Sequence, residues 1–215
     1  MFRFSLSAVA LAAVCTIAHG ALITDPVGDF LATYTGPQNA DLDIVTAQVF
    51  YNGTNFTFTS TQNGAVGTTP GIYVWGIDTG TNATPFAAFG EGGVLFDTVV
   101  ILEPGTPGGS FALNLVPGGA MPIALPDPTV NGDTLSDIVP GSDLGPHGFL
   151  PQNYLVNLWT RDSLSGSGAA GFAQIADFAP NNSDATVTVT PEPATGLLLV
   201  SAIALGALRF RRKAV

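Results

Sequence analysis

Cysteine is almost missing from this chain of 215 residues: its one copy, Cys15, lies inside an apolar N-terminal run. Once that run is removed no thiol remains, which excludes disulfides, thiolate catalysis and zinc–thiolate sites. Cations are nearly as scarce. Six Lys and Arg face 16 Asp and Glu, and Arg3, Arg209, Arg211, Arg212 and Lys213 sit at the two ends. Arg161 is therefore the only cation between residues 21 and 190, against 15 acids, a local balance of −14. Phosphate neutralisation needs clustered cations, so no nucleic-acid partner is expected. With no Lys outside the tail, Schiff-base chemistry is excluded too. Histidine is down to His147 after residue 20. A metal site of several histidines within one chain is impossible. A Ser-His-Asp arrangement would have to use this loop residue, and no Gly-x-Ser-x-Gly elbow is present.

What the chain does have begins with two address-like ends. Arg3 followed by the apolar stretch from Phe4 to Ala18, with small Ala18 and Gly20 before Ala21, reads as a secretory signal peptide over residues 1–20. Val14 occupies the position before Cys15 where a lipoprotein signal wants a small residue, so lipidation is not expected. At the other end Pro191-Glu192-Pro193 precedes an apolar run from Ala194 to Leu208 and then Arg209-Phe210-Arg211-Arg212-Lys213. Fifteen helical residues span roughly 22 Å, short of the ~20 residues that cross a bilayer comfortably. With the basic cluster held in the cytoplasm, the preceding domain lies outside. A short apolar tail of this kind follows the logic of anchors that are removed after sorting.

These three parts in order resemble the tail of the PEP-CTERM family of exported bacterial proteins, over residues 191–213. The resemblance implies a sorting signal carried by Pro191, Glu192, Pro193, Arg209, Arg211 and Arg212. It also implies recognition by a membrane-embedded exosortase and cleavage near the tripeptide. The chain would be held in the inner membrane through the tail before processing, then reach the cell surface or an extracellular matrix rich in polysaccharide. The alternative is an ordinary single-span anchor; both place residues 21–190 outside the cytoplasm.

Between the ends, residues 21–190 hold 23 Gly, 14 Pro and 17 aromatics. That is too aromatic for a solvated linker. Asn55-Phe56-Thr57-Phe58-Thr59 alternates with period two, as a half-buried strand does. Further strands are expected over 42–51, 71–78, 94–102, 110–116, 154–160 and 185–190. Asn52-Gly53 is a hairpin signal, since both residues tolerate positive φ. Residues 169–178 read as one short helix, although Gly168 and Gly171 weaken it. Short strands separated by turn residues imply an all-β fold, a single jelly-roll-like β-sandwich, with a signal helix over 1–20 and a sorting helix in the tail 191–215.

Two stretches inside this domain resemble family 9 carbohydrate-binding modules and the related DOMON domains: the strand Tyr73-Val74-Trp75-Gly76-Ile77-Asp78, and Gly132 to Pro140 leading into Asp143-Leu144-Gly145. The resemblance implies a sandwich and, as a possible role, binding of extracellular polysaccharide.

The densest acidic group is Asp25, Asp29, Asp41 and Asp43. Calcium takes six to eight oxygen ligands and would offset such a gathering of charge. Gly28 would let the chain turn so that Asp25 and Asp29 share a point, and Asp41 and Asp43 would share a face if they open a strand. Separately solvated turn aspartates are the first reading of these residues, and calcium held as a cofactor by Asp25, Asp29, Asp41 and Asp43 is the alternative. A second candidate is the stripe Asn157, Trp159 and Arg161, a mixed aromatic and polar face suited to a sugar. Large aromatics usually fill the core between sheets, and that is the first reading of both Trp75 and Trp159. Glu91, Asp97 and Glu103 are the acids from which a glycosidase pair would have to come, and their surroundings favour solvated acids. The resulting expectation is a non-enzymatic, exported surface or matrix protein, with a calcium-assisted carbohydrate-binding module as the alternative.

Overall fold

The Phe-Thr alternation does form a strand, and its neighbours build a sheet around it. In this computed structural model residues 22–119, 121–163 and 166–189 are described. The first sheet contains β1 (Ile23–Thr24), β2 (Ile44–Tyr51), β3 (Asn55–Gln62), β9 (Thr134–Pro140) and β8 (Thr129–Asn131), in the order β1-β2-β3-β9-β8. The short β13 (Thr188–Val189) pairs with β2 in parallel, and the other pairings are antiparallel. Along β3, Phe56, Phe58, Ser60 and Gln62 are buried while the intervening residues are not. The β2–β3 hairpin at Asn52-Gly53 uses a longer connection than a two-residue turn, because Tyr51 pairs with Phe56. Only Gly53 takes positive φ, at 93°. Asn52 closes the turn with its side chain instead, its Oδ1 accepting from the Thr54 and Asn55 amides.

The second sheet runs β11 (Ile175–Ala179), β10 (Leu155–Arg161), β4 (Ile72–Asp78), β5 (Thr98–Leu102), β6 (Phe111–Asn114) and β7 (Ile123–Ala124), with β12 (Ala185–Thr186) also pairing β10. Every residue of β4, β5 and β11 is buried. Strands covered on both faces lose the polar–apolar alternation, which is why Ile-Tyr-Val-Trp-Gly-Ile-Asp shows none. The two faces belong to two cores. Tyr73, Trp75, Ile77, Val156 and Leu158 meet Val49, Phe56, Phe58, Leu135 and Val139 of the first sheet. Phe56 stacks on Tyr154 with ring centroids 5.6 Å apart, and Phe58 meets Trp75 at 5.3 Å. On the opposite face Val74, Val99, Ile101, Trp159 and Phe178 are covered by Phe86, Phe89, Phe96 and Phe172. Phe172 ends α1 (Gly168–Phe172), the one α-helix among the described residues.

The described residues are thus mostly β, arranged as two sheets face to face with almost no helix, and they form one compact unit. The helix expected over 169–178 is corrected: α1 stops at Phe172 and residues 175–179 are strand β11. Ile175-Ala-Asp-Phe-Ala gains more by pairing with β10 than a glycine-interrupted helix would by propagating. The expected strand over 94–102 begins only at Thr98, since residues 93–96 turn to cover the outer core. The signal segment 1–20, the apolar run 194–208 and the sorting residues Pro191, Glu192, Pro193, Arg209, Arg211 and Arg212 lie outside the described residues. Among the described residues no helix is long and apolar enough to cross a membrane.

Candidate functional site

β1 is an edge of the first sheet and β11 an edge of the second, and carboxylates gather where these edges meet. Asp25 follows β1 directly, its amide bonded to the Val45 carbonyl at 3.0 Å. The chain then turns through Gly28, at φ 83°, and returns Asp29 beside Asp25. Asp177, in the middle of β11, is the third member. One carboxylate oxygen from each of the three lies within 4.8 Å of the others. Calcium–oxygen bonds of 2.3–2.6 Å place ligands on opposite sides of an ion roughly 5 Å apart, so the spacing suits a shared cation.

The electrostatics of this group follow from its burial. Asp177 is fully buried; its Oδ2 accepts the Ile44 amide and its Oδ1 the Phe178 amide, each at 2.8 Å. Burial pushes its carboxyl up to about 8, with the charges of Asp25 and Asp29 adding to the rise and the two amide hydrogens opposing it. Asp25 is pushed up to about 7, again chiefly by burial, then by Asp29 and Asp43. Asn181 Nδ2 donates to Asp29 Oδ2 at 3.0 Å. Asp25 Oδ2 and Asp29 Oδ1 are buried without a hydrogen-bond partner among the described residues. Burial and mutual repulsion therefore favour a proton or a cation on Asp25 and Asp177.

The acids expected from the sequence divide. Asp25 and Asp29 are brought together. Asp41 and Asp43 are not part of the cluster. They do not open a strand: residues 40–42 form a 3-10 turn, and β2 starts at Ile44. Asp41 accepts from the amide and hydroxyl of Thr69, both at 2.7 Å. Asp43 accepts the Gly28 amide on both oxygens at 3.0 Å and Asn63 Nδ2 at 2.9 Å, so it fixes the turn that carries Asp25 and Asp29. Asp177 was missed because it lies far along the chain, in a stretch read as helix. The available signal was a single carboxylate in an otherwise apolar run, Ile175-Ala176-Asp177-Phe178-Ala179.

The Asn157, Trp159 and Arg161 stripe does share one face, but that face is not open, and the expected sugar platform is corrected. Trp159 is 3% exposed and Asn157 0%. The indole packs against Phe96, Phe86 and Phe178, with ring centroids 5.0, 5.2 and 5.9 Å away. Asn157 Nδ2 donates to the Pro180 and Ser183 carbonyls. Arg161 Nη2 donates to Gln174 Oε1 at 2.6 Å and its Nε to the Ser163 carbonyl. Trp75 is likewise buried, in the inner core.

No family model, curated protein or solved structure matches the chain. The residues themselves therefore carry the functional argument.

His147 is held at both ring nitrogens. Nδ1 lies 2.7 Å from Thr79 Oγ1, Thr79 donates to Asp97 Oδ1 at 2.8 Å, and Asn114 Nδ2 lies 3.1 Å from Nε2. The consistent assignment has Nδ1–H donating to Thr79 and Nε2 accepting from Asn114. Asp97 also accepts from the Thr79 and Thr81 amides. This chain of bonds latches the loop that carries His147 to the sheet.

Proposed function

We propose that this protein is an exported, non-enzymatic surface or matrix component whose jelly-roll-like domain is clamped by calcium. In this reading residues 1–20 direct export. The segment 191–213 is a sorting signal read by an exosortase, with Pro191, Glu192 and Pro193 at its head and Arg209, Arg211 and Arg212 at its cytoplasmic end. The observation that carries the calcium part is the meeting of Asp25, Asp29 and Asp177 where the two sheet edges join. A single ion there would bind β1 and its following turn to β11 and so resist separation of the sheets. For a domain without disulfides outside the cell, such a clamp supplies a cross-link that chemistry inside the cytoplasm would not need.

The non-enzymatic part rests on two facts. His147 is used on both sides, and Asp97 is bonded to Thr79 and Thr81. Recognition of polysaccharide through Trp159 has lost its face to the outer core and is not carried forward.

The sorting half is tested by fractionation in a host that carries an exosortase. The wild-type chain should leave the membrane fraction in a shortened form, and replacement of Pro191, Glu192 and Pro193 by alanine should hold the full-length chain in the membrane. Identical partition of the two would exclude the sorting reading.

A further inference from the structure

On the outer face of the second sheet three oxygen-bearing side chains converge on one loop, whose Asn181 also reaches Asp29 of the seam cluster. Asp78 ends β4 opposite Leu155, and Asn157 stands opposite Gly76. Asp78 and Asn157 therefore project from the same face of adjacent strands, one diagonal step apart. β12 pairs with the same β10 through Ala185 opposite Val156, so Asp184 is the next residue in register beside Asn157.

Each group has spent part of its bonding capacity on the backbone. Asp78 Oδ1 accepts the Gly80 and Asn82 amides, both at 3.0 Å. Asn157 Nδ2 donates to the Pro180 carbonyl at 2.7 Å and the Ser183 carbonyl at 2.8 Å, which fixes the other arm of the amide as the oxygen. The Asp184 carboxylate accepts the Leu95 amide at 3.0 and 3.3 Å. What remains is Asp78 Oδ2 and Asn157 Oδ1, both on fully buried residues and both without a hydrogen-bond partner among the described residues. Two acceptors and a neighbouring carboxylate demand something electropositive.

We propose that Asp78, Asn157 and Asp184 form a second binding site for a hard divalent cation of the calcium class, which clamps the 180–184 loop onto the outer face of the second sheet. Two carboxylates and an amide oxygen are the donor set such an ion takes, with backbone carbonyls and water completing the shell. Asp184 is partly exposed and offers the route of entry. Gly93 and Leu95 already fasten the loop from its other side, the Gly93 amide donating to Asn182 Oδ1 at 2.8 Å. The loop leads into β12 and β13, each only two residues long, which are the last described strands before the Pro191 tripeptide. Strands this short have little holding power of their own, so the ion governs how firmly this end of the domain is held.

Amide hydrogen exchange on the full-length chain in detergent tests this, in calcium chloride, in magnesium chloride and with chelator. Calcium should slow exchange at residues 183–187 and at Leu95, which do not touch the seam carboxylates, by at least tenfold over chelator, and more than magnesium does. The same protection should survive in Asp177→Asn, which disables the seam cluster, and be lost in Asp78→Asn. That replacement keeps the acceptor for Gly80 and Asn82 and gives Asn157 Oδ1 a neutral donor. Asp184→Asn, which keeps an acceptor for Leu95, should behave as Asp78→Asn does and decides the matter if Asp78→Asn fails to fold. Equal exchange with calcium and chelator in the wild type would mean that a proton or a water satisfies the two oxygens, and would overturn the proposal. So would a calcium response retained in both Asp78→Asn and Asp184→Asn, or one abolished by Asp177→Asn.

Discussion

Asp177 and Ile44 belong to different sheets, and a hydrogen bond joins them: Asp177 Oδ2 accepts the Ile44 amide at 2.8 Å, with both residues fully buried. The bond fixes the edge of the second sheet to the start of β2. Asp177→Ala would leave a buried amide without its acceptor, a loss of about 1–3 kcal/mol. Asp177→Asn keeps one acceptor and removes a charge. Urea denaturation in chelator should therefore place wild type and Asp177→Asn above Asp177→Ala. Equal stability of Asp177→Ala and wild type would show that the bond does not hold the sheets.

The same burial sets a pH dependence. Asp25 and Asp177 titrate in the folded protein at about 7 and about 8, above their usual carboxylate range, so the folded state binds more protons than the unfolded chain. Their contribution is fully present below the unfolded value near 3.8 and is lost as pH rises through about 7 and 8. Asp184, raised to about 7, acts in the same direction. With chelator, the melting temperature should be higher at pH 5 than at pH 8. Saturating calcium should reduce the difference, because the cation takes over from the protons. A melting temperature that rises with pH in chelator would contradict the assignment.

Trp159 gives a test of core against ligand face. Packed among Phe86, Phe96 and Phe178, it should behave as a core residue, and Trp159→Ala should cost about 3–5 kcal/mol in denaturant unfolding. A variant as stable as the wild type would return the indole to the surface and reopen sugar binding.

His147 is predicted to act as a latch. His147→Ala removes the acceptor of Asn114 Nδ2 and the donor to Thr79, and a loss of about 1–2 kcal/mol is expected from the two bonds. Export and tail processing should be unchanged, as read by fractionation. Loss of processing with stability intact would assign the imidazole a role in sorting.

Strands were legible in two ways: β3 through the alternation that one wet face imposes, and the buried β4, β5 and β10 through runs of β-branched and aromatic residues between turns. β3 announces itself through Phe56, Thr57, Phe58 and Thr59, and the Asn52-Gly53 turn through its residue types. β11 was hidden because a strand buried on both faces has no period to detect, and its alanines sit next to a short genuine helix. The candidate site was half legible for a related reason. Asp25, Gly28 and Asp29 are local, and their turn can be reasoned from spacing. Asp177 reaches them only through the docking of sheet edges, which no local pattern encodes. Asp41 and Asp43 misled because a 3-10 turn, set by packing, replaced the strand start their spacing suggested. Trp159, Asn157 and Arg161 do form a stripe; that it is covered depends on the 86–96 segment folding back over it.

The most direct test of the central claim is the thermal unfolding of the full-length chain in detergent at pH 8, with calcium against chelator, for wild type and Asp177→Asn. Calcium a hundredfold above its Kd should stabilise the wild type by about 2.7 kcal/mol, or about 5–10 °C for a domain of this size. Asp177→Asn should lose most of that shift, keeping only what the outer site contributes. Equal melting temperatures in calcium and chelator for the wild type would contradict a calcium clamp between the sheets.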